Sequence, residues 1–233
     1  MYFPTFNINY LIYMLPAIIL SLIAQLYVNA KYSKWSRIPN RSGFSGVQVA
    51  QRLREHMGFY NLELKGTPGR LTDHYDPRNN VLSLSKDIAE GATVAAMAIT
   101  AHEFGHAQQD QKNYLPMRFR TALVPLVNIG TSVGWILILI GLLLQMSNLA
   151  WLGIIAFSAG AIFSIATLPV ELNASKRARQ MLKSSGIVTS ETEMKGVSQV
   201  LNAAALTYVA AVATSVLQLF YFASMIGGSN RRR

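Results

Sequence analysis

The sequence predicts a mainly α-helical membrane protein that carries one small antiparallel β-sheet. Of its 233 residues 51% are hydrophobic and only 14% are charged, which is little charge for a soluble chain of this length. The charge is also segregated: no Asp, Glu, Lys or Arg occurs from Met1 to Ala30, from Thr121 to Val170, or from Gly196 to Asn230. A helix crossing the hydrocarbon core needs about 20 apolar residues, so the middle run is long enough for two spans and each of the others for one. The sheet is predicted by a window after Gly58 in which apolar residues alternate with polar ones between turn residues, the pattern of short strands.

The first span runs from about Ile8 to Val28 with Pro16 inside it, a residue that membrane helices tolerate. It lacks a basic start and exceeds the apolar length of a signal peptide, so residues 1–30 are expected to be an uncleaved N-terminal anchor. Residues 31–120 form a polar segment. Within it Ser45 to about His56 reads as an amphipathic helix, with Val47, Ala50, Leu53 and Met57 at helical spacing and Gly58 as a stop. Leu62 and Leu64 then alternate with polar residues, Gly66-Thr67-Pro68-Gly69 is a turn, and Leu71 to Tyr75 and Val81 to Leu84 flank Asp76 to Asn80. That is the expected antiparallel sheet of two or three strands.

Ser85 is placed to cap a helix with Asp87 in its first turn. The helix continues through Ile88, Ala92, Ala95, Ala96 and Ile99 until Asn113 and Pro116 bound it. Residues 121–170 are a transmembrane hairpin, Ala122 to about Met146 and Leu149 to about Leu168, turning near Ser147-Asn148. Arg120 and Glu171 therefore emerge on the same side of the membrane. Ser190 with Glu193 three residues on is a capping-box pattern, opening a helix expected to lead into a fourth span from about Ala203 to Ala223. Residues 201–233 thus hold the C-terminal transmembrane helix and a basic tail, Arg231 to Arg233, expected to be disordered.

Composition excludes several functions. Without cysteine there is neither a disulfide framework nor a thiolate metal site, so any metal must be held by His and carboxylates. The net charge of +10 is not interleaved with base-stacking aromatics, and no nucleic-acid partner is expected. The bilayer is the expected partner of these charges. Thirteen of the 21 Lys and Arg residues fall between Lys31 and Arg120 and five between Lys176 and Lys195, which four spans place together on the cytoplasmic side. A transporter would need more polar residues in its spans than the scattered Asn128, Gln145 and Gln218.

The chemistry lies in Ala101-His102-Glu103-Phe104-Gly105-His106, an H-E-x-x-H motif on a helix. Positions i and i+4 lie one above the other, roughly one 5.4 Å turn apart, so His102 and His106 can close on one zinc at about 2.0 to 2.1 Å each. Glu103 comes round beside the open coordination position, where its carboxylate can take a proton from the attacking water. A catalytic zinc usually takes a third protein ligand. The candidates are His74, His56 and the acidic residues, among which Glu171 stands out as a carboxylate at the exit of a membrane span.

The segments Leu71-Thr-Asp-His-Tyr-Asp-Pro77, Ala101 to His106, Thr167-Leu-Pro-Val-Glu-Leu-Asn-Ala-Ser175 and Ala203-Ala-Ala-Leu-Thr-Tyr208 together resemble the YugP-like neutral zinc metallopeptidases of bacterial membranes, relatives of the HtpX-like membrane peptidases. The resemblance covers nearly the whole chain in order. It implies a zincin-like metallopeptidase core fused to about four transmembrane helices, with one Zn2+ per chain. In the relatives an E-x-x-A-D segment supplies the third ligand; carried over, that ligand is Glu171, and Ala174 matches the alanine. Residues 31–120 are then the catalytic segment and 171–200 the segment that carries the third ligand. Ser175 departs from the relatives' aspartate, which puts in doubt its service as an acceptor that orients a histidine ligand.

The expected function is an integral zinc metalloendopeptidase of the bacterial inner membrane, its zinc site facing the cytoplasm and its substrate a polypeptide from membrane or misfolded proteins. His102, His106 and Glu171 bind zinc and Glu103 is the general base. The strand from Leu71 to Tyr75 is a candidate edge for an extended substrate, and His74 or Tyr208 a candidate donor to the oxyanion, with a structural role as the other reading of each. The competing reading of the whole chain is a catalytically silent membrane scaffold or adaptor with a structural zinc. Glu103 speaks against it, since a structural site has no use for that carboxylate.

Overall fold

A computed structural model describes residues 8–230, and the side chains of residues 10–227. The tail Arg231 to Arg233 lies outside the described residues. In chain order the elements are α1 (Ile8–Trp35), α2 (Gly46–Met57), β1 (Glu63–Thr67), β2 (His74–Asp76), β3 (Val81–Ser85), α3 (Lys86–Glu90), α4 (Val94–Gln111), α5 (Leu115–Leu143), α6 (Ser147–Ser184) and α7 (Glu191–Asn230). Four of the described helices, α1, α5, α6 and α7, are long and apolar enough to cross a membrane. The chain divides into two compact units. One comprises the residues up to Ala24, Arg118–Pro169 and those from Thr207; the other comprises Gln25–Met117 and Val170–Leu206.

The first unit is built of apolar helix. Ile12, Leu15, Ile19, Leu22 and Ile23 of α1 are exposed, as are Leu126, Ile129, Ile136 and Leu139 of α5. Apolar surface of this extent on helices of this length suits contact with lipid. Helices α5 and α6 pack backbone to backbone: a β-carbon on Gly134 would stand 2.5 Å from the Phe157 nitrogen, and one on Gly153 would stand 2.6 Å from the Ile138 nitrogen. Small residues at facing positions permit this approach where no hydrophobic force drives helices together. The hairpin turns earlier than the sequence predicts, around Gln145 in the left-handed conformation (φ 54°), and Ser147 already opens α6. Between α1 and α7 the hydroxyls of Ser21 and Thr214 stand 3.3 Å apart.

In the second unit the ends of α2 are written locally. The Ser45 side chain accepts from Gln48 N–H while Gln48 reaches back to the cap, and Gly58 closes the helix with φ 71°. The sheet has three strands in the order β1-β3-β2. The antiparallel expectation holds for β2 and β3, where Tyr75 faces Leu82, but β1 runs parallel to β3, with Glu63 facing Val81 and Thr67 facing Ser85. The sheet is mixed because residues 68–73 cross the end of β3 before β2 begins, using Gly69 at φ 101° and Leu71 at φ 55°. The hairpin from β2 to β3 is tightened by Asp76, which accepts from Arg78 N–H and the Asn79 amide.

Three further expectations are corrected. The helix predicted from Ser85 to Asn113 is broken into α3 and α4. Residues 38–40 dock between them: Val94 N–H donates to Ile38 O, Asn40 N–H donates to Ala92 O, and Thr93 restarts the helix by accepting from Ala96 N–H. Ser85 keeps the cap position, but its hydroxyl donates to Asp73 rather than capping α3. At the start of α7 the Glu193 carboxylate takes a different donor from the capping-box one, the Arg41 backbone N–H at 2.8 Å. The unit's core gathers Leu53, Leu82, Leu84, Ile88, Met97, Phe104 and Leu182, and Phe104 stacks on Phe59 with ring centroids 5.2 Å apart.

Candidate metal centre

The H-E-x-x-H helix is α4, and its inner face is largely buried. Against it lies the stretch of α6 that follows Pro169. The two backbones touch at Gly105, whose missing β-carbon would stand 2.6 Å from the Ala174 carbonyl oxygen. Only glycine permits that approach, and Ala174 itself is fully buried. Glu171 and Ser175 flank Ala174 on the α6 face turned toward α4, so the contact delivers both to the histidines.

His102, His106 and Glu171 are brought together, with ligand atoms all within 4.8 Å of one another. Glu171 Oε2 lies 3.1 Å from His102 Nε2 and 3.5 Å from His106 Nε2. Two ligands each about 2 Å from a tetrahedral zinc stand roughly 3.3 Å apart, so these separations fit one zinc-sized cation. The two imidazoles are nearly perpendicular, at 85°.

The outer ring nitrogens are both engaged. His106 Nδ1 lies 2.9 Å from Gln109 Oε1, while Gln109 Nε2 donates to Val170 O at 2.8 Å and to Asn173 Oδ1 at 3.0 Å. With both amide protons committed, Gln109 can only accept from His106, so Nδ1 carries a proton and Nε2 is the nitrogen turned toward Glu171. Ser175 Oγ lies 3.2 Å from His102 Nδ1, so the serine does occupy the orienting position that its chemistry put in doubt. Gln109, fully buried, is absent from the sequence reading; its place three residues after His106 on one helix face was the available signal.

Charge in the cluster is complementary to a cation. Burial by itself lowers the proton affinity of His106, yet the Glu171 hydrogen bond and the Glu103 charge raise it above the ordinary imidazole value. The surroundings therefore favour positive charge between these groups. Burial also pushes the Glu103 carboxyl above the usual carboxylate range, opposed by His102 and His106 and reinforced by Glu171 and Asp73. Asp73 accepts from both Ser85 N–H and Ser85 Oγ, fixing the start of β2 to the end of β3. Tyr75 Oη donates to Asp110 Oδ2 at 2.9 Å, tying β2 to α4.

The other candidates are not members of this three-residue set. His74 is exposed on β2, with Nδ1 2.8 Å from Thr72 O, and is not a member of the cluster. His56 is exposed on α2, with Nε2 3.3 Å from Ser184 Oγ. Tyr208 lies on α7 in the first unit.

Residues 10–227 match the family model described as "Putative neutral zinc metallopeptidase". The chain belongs to this family. It is also 42% identical over 203 residues to "Putative membrane protease YugP" of Bacillus subtilis (strain 168), a match covering 87% of this chain and 90% of that one. No solved structure matches it. The family match spans α1 to α7, so the cluster and all four candidate spans fall within it.

Proposed function

We propose that this protein is an integral-membrane zinc metalloendopeptidase. The observation that carries the reading is the convergence of His102, His106 and Glu171 beside Glu103, the one carboxylate of the motif that the three-residue set does not use. His102 and His106 would hold one zinc through Nε2 and Glu171 through its carboxylate. Bound zinc supplies Lewis acidity, polarising the scissile carbonyl and making water acidic enough to deprotonate near neutral pH. Glu103 takes the proton from the attacking water and passes it to the leaving amine. Its raised proton affinity suits a group that must accept a proton and then give it up.

Gln109 and Ser175 hold the two rings in place so that neither turns away from the site. β2 is an outer strand with β3 on one side only, and we assign its free edge to an extended polypeptide substrate drawn from membrane or misfolded proteins. His74, exposed on that strand, or Tyr208 of α7 is the donor assigned to the oxyanion. The concentration of Lys and Arg around the cluster's segments supports a site that faces the cytoplasm from the bacterial inner membrane.

The test is metal content by mass spectrometry on the purified chain, together with hydrolysis of unfolded polypeptide before and after chelation. About one zinc per chain is expected, lost on replacing His102, His106 or Glu171 by Ala and kept in His56→Ala. Full zinc content in Glu171→Ala would remove the third ligand from the proposal.

A further inference from the structure

A second site opens on the outer side of the same helix pair. A cavity of about 490 Å³ lies between α4 and α6, lined among others by Gln108, Lys112, Asn173, Lys176, Arg177 and Ser184. No carboxylate lines it, and among the described residues none of its three cations has an acidic partner within ion-pair distance. Like charges gathered without a counter-ion repel, and a bound anion relieves that repulsion.

The pocket is partly pre-organised. Arg177 Nε donates to Asn173 Oδ1 at 2.6 Å and Nη1 to Gln108 Oε1 at 2.8 Å, and the guanidinium lies over the Tyr114 ring. One cation is thus held fixed in the wall while the exposed Lys112 and Lys176 remain able to close on a ligand. A fixed guanidinium with two mobile ammonium groups matches the oxygens of a phosphate. In sequence these charges adjoin the apolar helices: Lys112 precedes Leu115, the start of α5, by three residues, and Lys176 follows Leu168, the end of the third apolar run, by eight. Basic pockets at the ends of membrane helices meet phospholipid headgroups there.

We propose that this pocket is a binding site for a phosphate group, carried by an anionic phospholipid or free in solution. It shares Asn173 with the metal centre, since Asn173 Oδ1 accepts from both Arg177 and Gln109 and Gln109 holds His106. An anion on Arg177 is therefore two hydrogen-bonded side chains from a candidate metal ligand.

The test uses the full chain in a neutral detergent, titrated with short-chain phosphatidylglycerol, with short-chain phosphatidylcholine and with inorganic phosphate, bound ligand being counted by native mass spectrometry. Wild type is expected to bind phosphatidylglycerol about tenfold more tightly than phosphatidylcholine. The double variant Lys112→Gln/Lys176→Gln should lose that preference, while Lys86→Gln/Lys195→Gln, which removes two exposed lysines elsewhere, should keep it. Displacement of the lipid by inorganic phosphate assigns the site to the free anion, and retention assigns it to the lipid. Equal lipid preference in wild type and Lys112→Gln/Lys176→Gln, an equal loss in both double variants, or no anion binding at all would overturn the proposal. Zinc and turnover do not enter the readout, so the metallopeptidase reading stands or falls separately.

Discussion

The β-carbon that Gly105 lacks would stand 2.6 Å from the carbonyl oxygen of Ala174. That one close approach between α4 and α6 sets the distance from the two motif histidines to Glu171. Gly105→Ala should force the helices apart, destabilising the fold by about 1–3 kcal/mol. Its zinc affinity should fall further than its folded fraction does. Thermal melts with and without added zinc check this: a variant with the wild-type zinc-induced shift would show that the contact does not set the site.

The hydrogen bonds behind the histidines yield a graded series. Gln109→Leu removes the acceptor that fixes the His106 proton on Nδ1, and zinc affinity should drop roughly 10- to 100-fold. Ser175→Ala should act on His102 in the same direction with a smaller effect. Ser175→Asp restores a charged acceptor and should bind zinc more tightly than wild type. Competition with a fluorescent chelator ranks all four proteins, and Ser175→Asp ranking below Ser175→Ala would refute the orienting role of position 175.

Much of this architecture is legible in the chain. Charge segregation alone locates the four apolar helices, because lipid tolerates no ionised residue without a partner. The ends of α2 are legible because Ser45 and Gly58 act on their own neighbours. His102 and His106 are legible because one helical turn brings them together whatever surrounds them. Features that depend on distant segments are not. The parallel pairing of β1 with β3 depends on where residues 68–73 cross, and the break before Thr93 depends on residues 38–40 docking there. Ser85 looks like a cap from its neighbours, but Asp73 claims its hydroxyl across the sheet. Asp73 also reaches Glu103 electrostatically, a relationship that thirty residues of separation hide.

The raised proton affinity of Glu103 gives the metal-free protein a pH dependence of defined sign. Folding binds this proton more tightly than the unfolded chain does, so the group's contribution to stability is present below the ordinary carboxylate pKa and is lost as pH rises through the folded value. Chelated wild type should therefore lose more thermal stability than chelated Glu103→Gln between about pH 5 and about pH 8. Parallel melting curves for the two proteins would contradict this assignment of the proton.

The proposed orientation rests on the distribution of the basic residues. A reporter active only in the cytoplasm should give signal when fused after Gly66 and none when fused after Arg233. A silent first fusion with an active second would reverse the proposed orientation. Signal from both would mean that one of the four apolar helices does not cross.

The central claim, that His102, His106 and Glu171 hold a zinc for which Glu103 serves as base, is tested most directly by measuring zinc content and turnover together in Glu103→Gln. The amide keeps the side chain's shape and takes no part in the three-residue set, so zinc should stay at about one per chain while turnover falls by roughly 10²- to 10⁴-fold. Unchanged turnover with zinc in place would contradict the account.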